Sequence, residues 1–289
     1  MYCRTLSIIF VGNLSFVNDD LGNIPRLPTH FLAHLASISI VQRLRLIKMA
    51  VSSNFHFPIH GVSNDRLKLV PFDPEQHCES FFRLSSNHPE IYAHMPMLPP
   101  KSTAELKDHF YDNPPGGILS FSNPESFAFA IIDRTRPASP EDLDGELAGT
   151  ISFIRASATD LCVEIGFIVI LPPYQRTHVA THAVGLALQL ALKPPELGGL
   201  GLCRVHWTAN STNLASVKLA EKMGFVQVGM IPWHMRFIKG KVHGKVGNGR
   251  ELPSGSDPED VWRDSLNLSL GWDLWRDGAR EKVIKAMDR

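Results

Sequence analysis

Leu161-Cys-Val-Glu-Ile-Gly-Phe-Ile-Val-Ile-Leu171 runs directly into Pro172-Pro-Tyr-Gln-Arg-Thr-His-Val-Ala-Thr181. The first stretch is an almost unbroken apolar run of strand length, which reads as a strand buried on both faces. The proline pair ends it. From His178 to Leu192 the pattern changes: Val179, Ala183, Leu186 and Leu190 recur at helical spacing in a segment rich in alanine and leucine. A strand that ends in a loop and opens a helix delivers the helix's unpaired N-terminal N–H groups to the strand's end, where an anion is favoured. Arg176 and the hydroxyls of Thr177 and Thr181 add donors. An ordinary strand–helix turn has the same outline, so this segment alone leaves both readings open.

Outward from that unit, Leu202 to Thr208 reads as the next strand. Leu214, Val217 and Ala220 mark a short helix that Gly224 closes, and Val226–Ile238 and Asp264–Leu270 read as two further strands. A last helix is expected from about Trp272, with Trp275, Ala279, Val283 and Met287 on one face and a Glu281–Lys285 pair on another. Upstream, Arg66–Phe72 alternates as a strand. Helices are expected over Pro74–Leu84 and Thr103–Tyr111, the second capped by Ser102, and Phe127–Asp133 and Leu147–Ile154 suggest a hairpin. The order β-α-α-β-β-β-α-β-α-β-β-α packs most simply as one mixed sheet with helices on both faces, an α/β or α+β single domain.

Of the 289 residues, 44% are hydrophobic and 20% charged, enough for a sizeable core and against global disorder. Lys+Arg and Asp+Glu both number 29, so no basic excess supports binding to nucleic acid through its phosphates. Cys3, Cys78, Cys162 and Cys203 are scattered without a C-x-x-C pair, which suggests neither a zinc site nor a disulfide framework and points to a reducing, cytoplasmic setting. No apolar run has the length of a membrane span. Residues 1–48 read as a leader outside the domain. Leu6–Val11 has a faint signal-peptide character that Gly12, Asn13 and Ser15 interrupt, and Met49 is a candidate initiator. The domain is expected over residues 62–272, with a glycine-rich loop insertion at 239–260 and a C-terminal helical extension at 273–289. The proline-rich segment Asp133–Asp144 reads as a loop.

A second stretch, Asn210-Ser-Thr-Asn-Leu-Ala-Ser-Val-Lys-Leu-Ala-Glu-Lys-Met-Gly-Phe225, follows the Leu202–Thr208 strand. Asn213 and Ser216 stand near the start of its helix, where each taken singly reads as a capping residue. Together the two stretches resemble the two signature motifs of the GNAT N-acetyltransferases, and within them the branch of ribosomal-protein N-terminal alanine and serine acetyltransferases. The resemblance spans about Arg66 to Leu270. The insertion and the tail helix lie outside it.

The resemblance implies an acyl-CoA-dependent N-acetyltransferase with acetyl-CoA as co-substrate, an amine as partner, and no metal. It implies a mostly antiparallel twisted sheet whose Leu161–Leu171 and Leu202–Thr208 strands splay apart. Backbone amides of Gln175, Arg176, Thr177, His178, Val179, Ala180 and Thr181 would carry the cofactor's pyrophosphate. Amides near Phe167 and Ile168 would face the thioester, and Asn213 would hold cofactor amides. His178 stands where glycine is usual; a histidine there points its ring outward, lends partial positive charge to the anion, or spoils the cradle.

Glu164, embedded in the apolar strand, is the candidate general base, its desolvation raising its pKa toward a useful range; an edge glutamate facing solvent is the alternative. The resemblance assigns Ser216 as the acid that protonates the departing thiolate. After Phe225 the chain offers Trp233 and His234 but no tyrosine for that task. The acceptor groove is expected along His94-Met-Pro-Met-Leu-Pro-Pro100, apolar and without a charge code for polyamines, with His206 and Trp207 as neighbours. That favours a protein N-terminus or a small amine, acetylated by direct attack in a ternary complex of a monomer or homodimer. A catalytically silent acyl-CoA-binding module is the alternative. A dinucleotide-binding oxidoreductase is disfavoured, because no G-x-G-x-x-G follows a strand.

Overall fold

The computed structural model of the protein describes residues 54–111 and 117–288. The expected leader at 1–48 and both candidate start sites lie outside them. Among the described residues eight strands form one sheet in the order β1-β2-β3-β4-β5-β6-β8-β7: β1 Val62–Ser63, β2 Leu67–Pro71, β3 Phe127–Asp133, β4 Glu146–Ser157, β5 Cys162–Ile170, β6 Arg204–Asn210, β7 Val226–Phe237 and β8 Val261–Gly271. Only the β5–β6 pair is parallel; every other neighbour is antiparallel. This is the mixed sheet expected from the sequence. The two-residue edge strand β1 is too short to leave a periodic signal.

The helices are α1 Pro74–Ser85, α2 Thr103–Asp108, α3 Val179–Leu192, α4 Leu214–Lys222 and α5 Arg280–Met287. Asp73 caps α1 by accepting from the Glu75 N–H, and Ser102 caps α2 by accepting from that of Glu105. Gly224 closes α4 at φ +93°, a conformation costly for a residue with a Cβ. The last helix does not run unbroken from Trp272. Asp277 and Gly278 leave helical geometry, with Gly278 at φ +137°, so a short turn at Trp272–Leu274 is separated from α5. Glu281 also pairs with Arg280 rather than with the expected Lys285.

The core runs along the β3–β4–β5 centre, where Phe129, Ile131, Ile151, Phe153 and Ile165 are essentially solvent-free, and each such side chain contributes about 1.5–3 kcal/mol. α3 packs along β1, β2 and β5, and α5 lies against α3. At that contact a Cβ on Gly185 would sit 2.2 Å from the Met287 sulfur, so glycine is what lets the two helices meet.

The Asp133–Asp144 loop is anchored by Lys68, whose ammonium bonds Asp142 and Asp144 at 2.7 Å each. β5 corrects one expectation. Its first half is fully buried, but Gly166, Phe167 and Ile168 are half-exposed, because its neighbour β6 has left it.

Candidate active site

β5 and β6 pair over only three positions, Cys162 with Arg204, Val163 with Val205 and Glu164 with His206. Beyond them β5 continues to Ile170 and β6 to Asn210 with no pairing between the two, so the sheet opens into a wedge. A bulge in β5 accompanies the divergence. Phe167 and Ile168 together oppose Ile151, between the pairs Ser152–Gly166 and Thr150–Val169, and Phe167 takes φ +48°. An extra residue of this kind bends its strand and turns backbone groups out of the ladder. Gly149 on β4 permits the crossing, since a Cβ there would lie 2.0 Å from the Val169 carbonyl oxygen.

At the far end of β5 the chain turns through Pro172–Tyr174 into α3. Gln175 Nε2 donates back to the Ile170 carbonyl at 3.0 Å, and Thr177 Oγ1 donates to the Tyr174 carbonyl at 2.6 Å while accepting from the Val179 N–H. Arg176 is exposed and takes φ +60°. The His182 N–H is the first to bond along the helix, to the His178 carbonyl. Between them the N–H groups of Ala180 and Thr181 have no acceptor among the described residues, which leaves a donor pair facing outward at the positive end of α3.

His178 turns aside. Its φ of −67° needs no glycine. The ring points inward rather than outward as expected, its Nε2 3.3 Å from a buried Asp133 carboxylate oxygen without the alignment of a hydrogen bond, and it packs edge-on against His182. Lys222, at the end of α4, is a residue the sequence reading missed: its ammonium donates to Thr181 Oγ1 at 3.0 Å and brings a cation beside the start of α3.

Glu164 is buried, 6% exposed, but it is not alone there. Arg155 Nη1 donates to its Oε2 at 2.6 Å, so the isolated carboxylate expected from the sequence is instead one half of an ion pair. Around it stand His206, paired to it across the strands, and a chain in which Ser265 Oγ joins His234 Nδ1 at 2.7 Å and accepts from Arg263 Nε at 2.9 Å. Burial lowers His206, helped by Arg204 and Arg155. It lowers His234 too, helped by Arg263 and Arg155 and opposed by Glu164. Both imidazoles are therefore held toward the neutral form.

Asn213 caps α4, its side-chain oxygen accepting from the Ser216 N–H at 3.2 Å. Ser216 Oγ accepts from the indole N–H of buried Trp207 at 3.0 Å. An indole only donates, so this bond occupies a lone pair and leaves the serine proton to give. Glu164 shares a sheet face with its partner His206, whereas Trp207 is the next residue on β6 and faces the other way. The carboxylate and the serine thus open on opposite faces, with the wedge between them.

On the α1–α2 side Phe72, Phe81, Tyr92, Met95, Met97 and Phe167, with others, line a small, mostly apolar pocket of about 20 Å³, room for about one water, whose polar groups are the hydroxyls of Thr150 and Tyr92. The expected groove at His94–Pro100 contributes Met95 and Met97. The 239–260 insertion reaches the same place. Lys245, 7% exposed, donates to the carbonyls of Tyr92, Met95 and Met97 at 2.8, 2.9 and 2.5 Å, and burial pulls its ammonium down to about 8. Among the described residues no three potential metal ligands cluster, and no helix is long and apolar enough to cross a membrane.

The model of a family described as an acetyltransferase (GNAT) domain matches residues 66–226, more than half of the chain. The chain belongs to the GNAT acetyltransferase family. No curated protein matches it. Solved structures share its fold at low identity. A GCN5-related N-acetyltransferase from Brucella melitensis is 21% identical with a TM-score of 0.59, over 79% of this chain and 85% of that one. RimJ from Mycobacterium smegmatis, in complex with CoA-disulfide, is 15% identical with a TM-score of 0.53, over 76% and 88%. Spermidine N-acetyltransferase from Vibrio cholerae, in complex with CoA and spermine, is 17% identical with a TM-score of 0.50, over 74% and 99%. This GNAT protein shares their fold, and at such identity the likeness speaks for the fold alone.

Proposed function

We propose that this protein acetylates a primary amine, a protein N-terminus or a small amine, from acetyl-CoA by direct attack within a ternary complex. The observation that carries the reading is the wedge. An open slot lies between β5 and β6, the free N–H groups of Ala180 and Thr181 stand at the adjoining helix start, and the ring of His178 is out of the way. These groups suit a diphosphate lying across the gap. Gln175, Arg176, Thr177, His178, Val179, Ala180 and Thr181 would form the cradle, with the Phe167 and Ile168 amides and Asn213 along the slot.

Bound acetyl-CoA would supply an acyl group activated as a thioester. The chain's own residues then have two tasks. Glu164 takes a proton from the incoming ammonium, directly or through water. An α-amine needs less help than a lysine-like amine, since its pKa is about 7.7–8.0 rather than 10.4. Once the free amine has bonded to the thioester carbon and the carbon–sulfur bond breaks, Ser216, its oxygen held by Trp207, gives its proton to the departing sulfur and regains one from the proton that the nitrogen sheds, directly or through water. Free Cys78, Cys162 and Cys203 support the cytoplasmic setting, and the exposed apolar edge of β7, with Val226, Val228 and Met230, supports the homodimer over the monomer.

Calorimetry with acetyl-CoA, followed by CoA release against a mixed panel of peptides and small amines, tests this reading. Binding together with amine-dependent CoA release is the expected result. Binding without release from any amine would leave the silent acyl-CoA-binding module in its place, and absence of binding at millimolar acetyl-CoA would remove both.

A further inference from the structure

The 239–260 insertion reads from sequence as a loop, yet its central residues are tied into the acceptor side of the wedge. All three ammonium hydrogens of Lys245 have carbonyl acceptors, on Tyr92, Met95 and Met97. The next residue adds a second tie, with the Val246 N–H donating to the Ala93 carbonyl at 2.9 Å while the Val246 carbonyl accepts from Asn210 Nδ2 at 2.8 Å. Arg263 Nη1 reaches the His94 carbonyl at 3.4 Å. The turn from Tyr92 to Met97 has little regular structure beyond the short 3-10 turn ending at Tyr92, so these bonds set its shape.

The side chains that this turn presents, Tyr92, Met95 and Met97, form one wall of the apolar pocket whose opposite wall includes Phe167 of the β5 bulge. A polar group buried against such walls loses its hydration without a partner, and a second ammonium loses most. The pocket holds no carboxylate to receive one.

We propose that Lys245 is a positioning residue that knots the Tyr92–Met97 turn into a preformed apolar wall, so that the acceptor side of the wedge favours a primary amine borne on an apolar body, packed along that wall, over a polyamine. This rests on the reading of the protein as an amine acetyltransferase. It adds the substrate class and gives the insertion a part in the site.

The test uses the full chain with 2-phenylethylamine and spermidine as probe acceptors, in wild type, Lys245→Met and Lys245→Gln. Wild type is expected to favour 2-phenylethylamine at least about tenfold in kcat/KM. Loss of bonds to a charged donor in Lys245→Met is expected to raise KM for that amine about tenfold or more, with kcat and acetyl-CoA affinity nearly unchanged. Lys245→Gln, which keeps two donors, should fall between. Amide hydrogen exchange over residues 92–97 should quicken in Lys245→Met while that at the start of α3 stays put, a readout that needs no turnover.

An unchanged KM, or exchange at 92–97 no faster than in wild type, would overturn the positioning role. A preference for spermidine would overturn the substrate class. If wild type binds acetyl-CoA but acetylates neither amine, the substrate class is overturned, the peptide arm of the panel decides the acetyltransferase reading separately, and the exchange measurement still decides the role of Lys245. Should Lys245→Met fail to fold, Lys245→Gln carries the same comparison.

Discussion

The two sides of the wedge are built in different ways. On the α3 side the working groups are backbone N–H donors and the end of a helix, supplied by a contiguous strand–turn–helix in which side chains mainly stay clear. On the acceptor side the wall is assembled from pieces far apart in sequence: the turn after α1, the β5 bulge, and a lysine about 150 residues downstream of the turn it fixes. A backbone-built surface tolerates side-chain change, since its donors belong to the main chain. A surface made of side chains and a strap is free to differ from one protein to the next, and that is where selectivity belongs.

Substitutions on each side sharpen or break this contrast, and the largest effect is expected at Glu164. Glu164→Gln should lower turnover by about 10²–10⁴ while acetyl-CoA affinity measured by calorimetry stays within about twofold. An unchanged rate across several amines would take Glu164 out of the mechanism. Ser216→Ala should cost about 10–100-fold in kcat, and Trp207→Phe, which removes only the donor that orients the serine, should cost less. Equal losses of acetyl-CoA affinity in both variants would make Ser216 a cofactor contact and not an acid.

Lys222→Ala should weaken acetyl-CoA by a few fold, about 1 kcal/mol, and flatten the salt dependence of binding, because the lysine sits beside the helix start without replacing the backbone donors. The smallest effect is expected at His178→Gly, with acetyl-CoA affinity changed by less than about threefold, since the ring is already turned toward Asp133. A tenfold gain would mean that the imidazole does obstruct the cradle, and the backbone-built account of that side would fail.

Acid provides a further comparison. Burial holds His94, His182, His206 and His234 below the ordinary histidine value, His94 with help from Arg263 and Lys245 and His182 from His178 and Arg66. In each the folded state resists a proton that the unfolded chain accepts. Their stabilising share is present above about pH 6.5 and is lost as pH falls through their lowered values. The melting temperature should therefore drop between pH 7.5 and 5.5, and fluorescence-monitored melting at fixed ionic strength checks it. Lys245 follows the same rule in its own window: lowered to about 8 from an ordinary 10.5, it makes stability rise between those values.

Much of the fold was legible because its signals are local. The Leu161–Leu171 run, the alanine-rich helix and the Asn213 cap each announce themselves within a dozen residues. The departure of His178 was visible as well, but not the direction of its ring, which depends on Asp133 and His182 being beneath it.

What stayed hidden is long-range. Glu164 was read as an isolated buried carboxylate because Arg155 lies across a hairpin whose register is not written in either residue. The insertion looked like loop because Lys245 is one of three lysines spaced among its glycines, with Lys239 and Lys241, and nothing nearby says that three carbonyls await it. Lys222 resembled any helix-terminal lysine. The break at Asp277–Gly278 was readable from its composition, but the helical spacing of the neighbouring apolar residues carried the expectation past it.

The gap between β5 and β6 also concerns how long the molecule lasts. A sheet with a slot through its middle lacks hydrogen-bonding partners that a guest can provide, and a guest that binds only the folded chain adds about 2.7 kcal/mol of stability at a hundred times its dissociation constant. In a cell rich in the thioester the fold would be reinforced, and under starvation it would soften along that seam first. Its abundance would then follow the supply of its own donor without any separate sensor.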